Sequence, residues 1–252
     1  PAEAKWRYSI LSVADWDGDG LPDIMTNGIW GKVMWYRNIG TRTAPRLAAA
    51  QPVELAPGSP AQQAPWNWWS PQGRELVSQW RTTPQMIDWN GDGLMDLVMS
   101  DGEGYLALYE RQRAADGTLV LLPPQRVFWS EGASSFDSNG KPTNNQSGLL
   151  RLNDGAYGRG GRRTFCIVDC DGDGKLDLLL NSAPNVNFFR GFGKNAAGQW
   201  AFRDEGPVST HVLAGHATKP TVGDWNKDGV PDLLIGAEDG FFYQVRNPRA
   251  KR

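Results

Sequence analysis

Cysteine, histidine and long apolar runs are scarce in this sequence, and neither sign of charge is in excess. Its 252 residues include 2 cysteines and 2 histidines, and the net charge is −2. Because basic and acidic residues are interspersed, the charge gives no support for a general nucleic-acid-binding surface. No apolar run reaches the roughly 18 residues of a membrane-spanning helix. The composition therefore argues against nucleic acid as a partner and against a membrane span.

The two cysteines are too far apart for a disulfide in the structure that their neighbours predict. Cys166 and Cys170 are separated by four positions on a segment that reads as an extended strand, which places their Cα atoms about 13 Å apart. A disulfide spans at most about 7 Å between Cα atoms, so we predict two buried thiols. Metal binding by the pair is not favoured, since no second pair or histidine cluster accompanies it. The hydrolase patterns G-x-S-x-G and H-E-x-x-H are absent as well.

Aspartate, in contrast, is concentrated in four nine-residue loops. DWDGDGLPD begins at Asp15, DWNGDGLMD at Asp88, DCDGDGKLD at Asp169 and DWNKDGVPD at Asp224. Carboxylates this close together repel one another when ionised, which indicates that a cation lies among them. Oxygen ligands at alternate positions, with a glycine at the sixth position for a sharp turn, are typical of Ca²⁺ loops. A solvated turn is the alternative for a single copy, and the fourfold recurrence argues against it.

We predict that each loop binds one structural Ca²⁺, giving up to four ions. The expected ligands are side-chain oxygens at positions one, three, five and nine and a backbone carbonyl at position seven. In chain order these residues are Asp15, Asp17, Asp19, Leu21, Asp23, Asp88, Asn90, Asp92, Leu94, Asp96, Asp169, Asp171, Asp173, Lys175, Asp177, Asp224, Asn226, Asp228, Val230 and Asp232. The helix-loop-helix calcium hand is excluded, because position twelve is never Glu and the flanking residues read as strands rather than helices.

The loops mark a repeat of strand, calcium loop, strand, turn and strand. Their first aspartates, at 15, 88, 169 and 224, are spaced by 73, 81 and 55 residues, which suits one four-stranded blade each with insertions in the first two. An outer fourth strand is expected at QPVEL (51–55), at TLVLL (118–122) or RVFWS (126–130), and at QWAFRD (199–204).

The predicted fold class is therefore all-β, a β-propeller of four-stranded blades with four calcium-loop repeats. We expect a single propeller domain over residues 1–252, with insertions near 56–78 and 131–161. Two ways of completing the propeller stay open: the N-terminal segment closes the fourth blade, or this chain is part of a larger propeller.

These loops between apolar strands, together with LLIGAEDGFFYQVRN after the fourth loop, resemble the FG-GAP (VCBS-type) repeat of β-propellers. That family is best known from integrin α-chains and secreted bacterial proteins. It includes adhesion modules, lectin-like binders and polysaccharide lyases that act on uronate-containing glycans. The resemblance implies a calcium-stabilised propeller that acts on or binds carbohydrate. Carboxylate-rich calcium sites also suit a calcium-rich exterior, so we expect a secreted, periplasmic or cell-surface protein.

Tryptophan is abundant, with 12 copies. Three of them, Trp16, Trp89 and Trp225, occupy the second loop position, where Cys170 stands in the third repeat, and we predict that they pack between blades. Three others stand in APWNWWSPQG (64–73), outside any repeat core. They are Trp66, Trp68 and Trp69. This segment could stack on sugar rings or fold back over a blade edge, and the sequence leaves both interpretations open.

Basic and aromatic residues precede the first strand of each repeat, on the face opposite the calcium loops. Those that we single out are Arg81, Tyr157, Arg159, Arg162, Arg163, His216 and Lys219. Such a rim would suit an anionic glycan, because arginine can grip a carboxylate with two hydrogen bonds. The alternative for any one arginine is surface solvation or pairing with acidic turn residues.

Two functions follow. In the first, which the lyase resemblance implies, Arg81 or Arg163 neutralises a uronate carboxylate, His216 or Tyr157 removes the C5 proton, and the glycosidic bond eliminates. In the second, the chain is a lectin-like or adhesion-like module that holds a polysaccharide, another glycan or a protein partner without chemistry. The predicted binding residues are Trp66, Trp68, Trp69, Arg159, Arg162 and Lys219.

Overall fold

The computed structural model describes residues 9–60, 70–155, 160–183, 185–213, 218–237 and 239–247. Within these ranges every regular element is a strand or an isolated bridge, and no helix is present. The all-β prediction is therefore confirmed. No helix in the described part of the chain has the length and apolar character needed to cross a bilayer.

The described residues form twenty short strands. They are β1 (Ile10–Ala14), β2 (Asp23–Asn27), β3 (Val33–Tyr36), β4 (Gln51–Pro52), β5 (Gln85–Ile87), β6 (Asp96–Ser100), β7 (Leu106–Tyr109), β8 (Arg111–Arg113), β9 (Leu119–Leu121), β10 (Phe128–Ser130), β11 (Ser135–Phe136), β12 (Pro142–Asn144), β13 (Gly148–Leu149), β14 (Phe165–Val168), β15 (Asp177–Asn181), β16 (Val186–Lys194), β17 (Trp200–Pro207), β18 (Lys219–Gly223), β19 (Asp232–Gly236) and β20 (Phe242–Val245).

The chain divides into two compact units, Pro1–Arg126 with Gly155–Gly161, and Val127–Asp154 with Arg162–Arg252. The first unit holds the first two loop repeats and the second unit holds the other two. The single propeller domain stays a prediction.

In the first unit, the first repeat is a complete antiparallel sheet in the order β1-β2-β3-β4. Its loop joins β1 to β2, which pair from Ala14 opposite Asp23 back to Ile10 opposite Asn27. The outer strand β4 lies in the predicted QPVEL segment. The second repeat forms the sheet β5-β6-β7 by the same antiparallel pairing. Its predicted outer strand TLVLL forms β9, which pairs with β8 rather than with β7.

The core of the first unit lies between these two sheets. Trp16, Met25 and Val33 of the first repeat belong to one buried cluster with residues of the second repeat, among them Leu97 and Met99. The alternation of strand side chains explains this arrangement, since every second residue of β2 and β3 points to the same face. Trp16 thus packs between neighbouring repeats, as its loop position predicts. The same prediction is wrong for Trp225, which is 67% exposed.

The second unit contains a six-stranded sheet in the order β13-β10-β17-β16-β15-β14. Four of these strands, β14 to β17, form the antiparallel sheet of the third repeat, with its outer strand in the predicted QWAFRD segment. RVFWS forms β10, which runs parallel to β17 and pairs Phe128 with Trp200. It therefore extends the third repeat's sheet instead of closing the second repeat. The fourth repeat is the three-stranded sheet β18-β19-β20.

The core of the second unit joins its two repeats and contains both cysteines. Cys166, Cys170 and Leu179 of the third repeat cluster with Leu233 and Ile235 of the fourth repeat. Both thiols are unbridged and buried, which confirms the prediction.

These thiols should be inert in the folded protein. Burial raises the pKa of Cys166 to about 11 and that of Cys170 to about 12, so very little thiolate forms near pH 8. We expect a thiol reagent such as dithionitrobenzoate to label neither cysteine in native protein and both after denaturation. Fast labelling of native protein, in a sample whose circular dichroism shows it folded, would contradict this placement.

Candidate metal centres

The first aspartate of each loop is the acceptor around which the loop folds. In the first loop, Asp15 Oδ1 accepts hydrogen bonds from the N–H groups of Gly18 at 2.9 Å and Asp19 at 3.1 Å. Asp15 Oδ2 accepts one from the N–H of Gly20 at 2.8 Å. One carboxylate therefore satisfies three consecutive backbone donors, which fixes the loop's conformation before any ion is considered.

The same frame recurs in the second and third loops. Asp88 accepts from Gly91, Asp92 and Gly93 at 2.8, 3.1 and 3.0 Å. Asp169 accepts from the corresponding residues of the third loop at 2.8, 3.1 and 2.9 Å. Three aspartate-rich stretches thus share a conformation as well as a pattern of residues.

The fourth loop keeps two of the three hydrogen bonds of this frame, and its backbone is strained at position four. Asp224 accepts from the N–H groups of Asp228 and Gly229, each at 3.0 Å. Position four has a left-handed backbone, and glycine occupies it in the other three loops, as Gly18, Gly91 and Gly172, with φ of 77°, 78° and 73°. Lys227 adopts φ of 60° there, which costs roughly 1 kcal/mol for a residue with a Cβ.

Carboxylate oxygens converge in two of the loops as a divalent cation requires. Asp15, Asp17 and Asp19 each offer an oxygen within 4.8 Å of the others, and Asp169, Asp171 and Asp177 do the same. Position three is an amide in the other two loops, as Asn90 and Asn226. A compact set of hard oxygen ligands matches the preference of Ca²⁺. The residues present therefore fit the ion that the sequence predicts.

The aspartate at position nine has a structural task in addition to its predicted ligand role. It is buried in all four loops. In the first loop, Asp23 Oδ2 accepts from Trp16 N–H at 3.2 Å and Asp23 Oδ1 from Asn38 N–H at 2.7 Å. Because Asn38 follows β3, this carboxylate ties the start of the loop to the third strand of the repeat.

Two further repeats share this connection. Asp96 accepts from Trp89 N–H at 3.0 Å and Arg111 N–H at 2.7 Å. Asp177 accepts from Cys170 N–H at 2.9 Å and Gly191 N–H at 2.8 Å. Burial raises the pKa of Asp177 to about 6, although these N–H groups favour its ionised form. The sequence pattern identified the residue but gave no indication of these two backbone partners.

An arginine just after the third strand of the first repeat, and one within the third strand of the third repeat, reach the loop. Arg37 places Nε 2.6 Å from Asp17 Oδ2 and Nη2 3.1 Å from Asp19 Oδ2. Arg190 places Nη2 3.0 Å from Asp171 Oδ2 and 3.3 Å from Asp173 Oδ2. Both arginines thus contact carboxylates at positions three and five, which are predicted calcium ligands.

Glu110 occupies the corresponding position in the second repeat. The pairs Ile24–Tyr36, Leu97–Tyr109 and Leu178–Phe189 are equivalent in register. The next residue along the chain is Arg37, Glu110 or Arg190, respectively. The second loop therefore has a neighbouring negative charge where the first and third have a positive one.

This difference predicts opposite effects of neutralising the two side chains. Arg37→Gln removes a cation beside the first loop and should tighten calcium binding there, whereas Glu110→Gln should weaken binding at the second loop. We expect changes of about three- to tenfold, the size of a Coulomb interaction over several ångströms near the surface. Calcium titration by calorimetry at low ionic strength measures them. Shifts of equal sign in the two variants would contradict this electrostatic assignment.

Arg163, predicted to neutralise a substrate carboxylate, lies inside the second unit. It is only 1% exposed, and its Nη1 donates a hydrogen bond to the carbonyl oxygen of Asn181. Burial lowers its pKa to about 9, against the opposing influence of Asp137 and Asp204. These contacts suit a structural role in the sheet rather than contact with a polymer.

The other described members of the predicted rim are Arg81, Arg162 and Lys219. Arg81 has φ of 55°, and its N–H donates to Gly28 O at 3.0 Å in the first unit. Arg162 has φ of 63°, and its carbonyl accepts from Asn181 Nδ2 at 2.8 Å. Lys219 lies in β18, where burial lowers its pKa. Six further predicted residues lie outside the described residues: Trp66, Trp68, Trp69, Tyr157, Arg159 and His216.

Comparison with known proteins supports the repeat. Residues 169–235, which include the third and fourth loops, match the model of the FG-GAP-like repeat. The resemblance drawn from the loop motif is therefore confirmed for this segment. No curated protein matches the sequence.

The solved structures that are similar to this chain include a fungal lectin. Its structure concerns the specific recognition of non-reducing terminal N-acetylglucosamine by an Agrocybe aegerita lectin, with a TM-score of 0.47 and 19% sequence identity. The similarity covers 96% of this chain and 50% of the lectin chain, so this chain spans about half of that protein's length.

Proposed function

We propose that this chain is a calcium-stabilised FG-GAP-repeat module that binds carbohydrate outside the cell. The observation that carries the proposal is the shared loop frame, in which one aspartate orders three backbone N–H groups while further carboxylate oxygens gather beside it. Bound Ca²⁺ would neutralise the carboxylates and link positions one, three, five and nine of each loop. The loops would then stabilise the scaffold, and recognition would belong to other segments.

Carbohydrate is the proposed ligand because the FG-GAP-like repeat accompanies a tryptophan-rich segment. Residues 169–235 match that repeat, and repeats of this kind occur in adhesion and lectin-like modules. Trp66, Trp68 and Trp69 supply aromatic faces for sugar rings, and Arg159, Arg162 and Lys219 supply positive charge for an anionic glycan.

Binding without chemistry is better supported than lyase activity. A lyase needs an accessible cation for the uronate carboxylate, and Arg163 is buried with its guanidinium bonded to a backbone carbonyl. The lyase version of the proposal then rests on Arg81, with His216 or Tyr157 as the base.

Glycan retention with and without calcium tests this proposal. We expect wild-type protein to bind at least one member of a panel of uronate-rich polysaccharides, and Trp68→Ala to bind it at least about tenfold more weakly. Phe241→Ala is the matched control, because Phe241 is an exposed aromatic outside the proposed site. If chelation abolishes glycan retention only under conditions in which it also unfolds the protein, the result fits an ion that stabilises the fold. Absence of binding to every glycan by folded, calcium-loaded protein would overturn the proposal.

Ultraviolet absorbance during the same incubations separates the two versions. Elimination leaves an unsaturated uronate that absorbs in the ultraviolet, so a flat trace with retained binding supports the module. A rising trace that Arg81→Ala abolishes would instead establish the lyase.

A further inference from the structure

One position, equivalent in all four repeats, contacts the calcium loop of its own repeat. We define this link position as the residue two places after the third-strand partner in the pairs Ile24–Tyr36, Leu97–Tyr109, Leu178–Phe189 and Leu233–Val245. The link residues are Asn38, Arg111, Gly191 and Asn247. In the first three repeats, the link residue's N–H donates to the aspartate at loop position nine. In the fourth repeat, Asn247 Nδ2 donates to the carbonyl of Pro231, at loop position eight, at 3.1 Å.

Two link residues also reach the loop of the preceding repeat in the same unit. In the first unit, Arg111 Nη1 donates a hydrogen bond to the carbonyl oxygen of Trp16. In the second unit, Asn247 Nδ2 donates one to the carbonyl oxygen of Cys170. Trp16 and Cys170 both occupy loop position two. Two chemically different side chains thus bond to the same carbonyl of the preceding loop, and each contacts both loops of its unit.

The bonded carbonyl belongs to a residue that separates two predicted calcium ligands. Cys170, for example, stands between Asp169 and Asp171. Its N–H is already bonded to Asp177, and its side chain is buried. A donor on its carbonyl therefore holds the peptide groups on both sides of this residue. Fixing them before an ion arrives reduces the conformational entropy that calcium binding must remove.

We propose that Arg111 and Asn247 are positioning residues that couple the two calcium loops of their unit. The proposal rests on the calcium-binding role proposed above. An ion in the later loop of the unit would order the backbone that the link residue contacts, and the link residue would then hold position two of the earlier loop. Calcium at either loop should therefore favour calcium at the other, because coupling between two binding sites is reciprocal.

Asn247 offers the cleaner test of the two link residues. The charge of Arg111 interacts with Asp15, Asp17 and Asp23 of the first loop, so replacing this arginine would change the electrostatics of calcium binding as well as the contact. Asn247 is uncharged, and Asn247→Ala removes its hydrogen bonds alone. Asn145→Ala is the matched control, because Asn145 is an exposed asparagine of the same unit.

The glycine at loop position six reports on each loop separately. Gly174 N–H donates to Asp169 at 2.9 Å and Gly229 N–H to Asp224 at 3.0 Å, so their amide signals in nuclear magnetic resonance should shift when calcium enters the third or fourth loop. In calcium-buffered solutions, we expect Asn247→Ala to weaken calcium binding at the third loop by about three- to tenfold, the net value of one hydrogen bond. Asn145→Ala should bind calcium like the wild type. Dispersed amide signals in the same spectra would show that the variants are folded.

Asp228→Asn distinguishes coupling from general support of the fold. This substitution keeps the shape of a predicted ligand of the fourth loop but removes its charge, so calcium should bind that loop more weakly. With Asn247 present, we expect calcium binding at the third loop to weaken as well, by about threefold. In the Asn247→Ala background, Asp228→Asn should have a clearly smaller effect on the third loop.

Two results would overturn the coupling. One is unchanged calcium binding at the third loop of folded Asn247→Ala protein. The other is an effect of Asp228→Asn on the third loop that is equal in both backgrounds, because a charge acting through space does not require Asn247. Failure of the proposed function would look different: none of the four loop glycines, Gly20, Gly93, Gly174 and Gly229, would respond to calcium in the wild type.

Discussion

Chelation of calcium is expected to lower the melting temperature of this protein by roughly 10–20 °C. Each ion that binds only the folded chain stabilises it by about 2.7 kcal/mol when its concentration is a hundredfold above the dissociation constant. For a chain of this size, 1 kcal/mol shifts the melting temperature by about 2–4 °C. Each unit contains two loops of the shared frame, so emptying both should produce a shift of that size.

Differential scanning calorimetry with excess calcium and then with excess chelator measures this shift. Magnesium at the same concentration is the control, because its preference for near-ideal octahedral geometry at shorter distances makes it a poorer match for such loops. If magnesium raised the melting temperature as much as calcium does, the effect would indicate screening of the repelling carboxylates rather than binding at specific sites.

Asp23→Ala is expected to cost about 2–6 kcal/mol of unfolding free energy, even without calcium. This carboxylate is fully buried and accepts hydrogen bonds from the N–H groups of Trp16 and Asn38. Its removal leaves both donors unsatisfied, and each buried unsatisfied group costs about 1–3 kcal/mol. Denaturant unfolding in chelator measures this structural contribution apart from any metal.

Asp19→Ala is the matched control for this variant. Asp19 is a predicted ligand in the same loop, but its side chain is partly exposed and pairs with Arg37 at the surface. Exposed ion pairs contribute at most about 1 kcal/mol, so this variant should lose stability chiefly in calcium. Equal losses for the two variants in chelator would refute the role assigned to Asp23.

Local features of the fold were predictable from the sequence because they depend on neighbouring residues. The spacing of Asp15, Asp17 and Asp19 places their oxygens together within one tight loop, and the short apolar runs on either side form the expected strands. The outer strands β4 and β17 also lie where apolar segments predicted them.

Features that depend on distant pairing were not predictable in the same way. The parallel pairing of Phe128 with Trp200 joins residues far apart in sequence, and no local signal specifies it. Arg163 carries a charge and was expected at the surface, but its environment is set by the sheet that packs around it. The backbone partners of Asp23 follow from register, which a motif of nine residues does not contain.

Calcium stoichiometry tests the central claim most directly. Equilibrium dialysis of chelator-treated protein against millimolar calcium should give up to four bound ions per chain, with one fewer after Asp15→Ala, because Asp15 orders the first loop. Folded protein that binds no calcium at this concentration would contradict the assignment of the loops as metal sites.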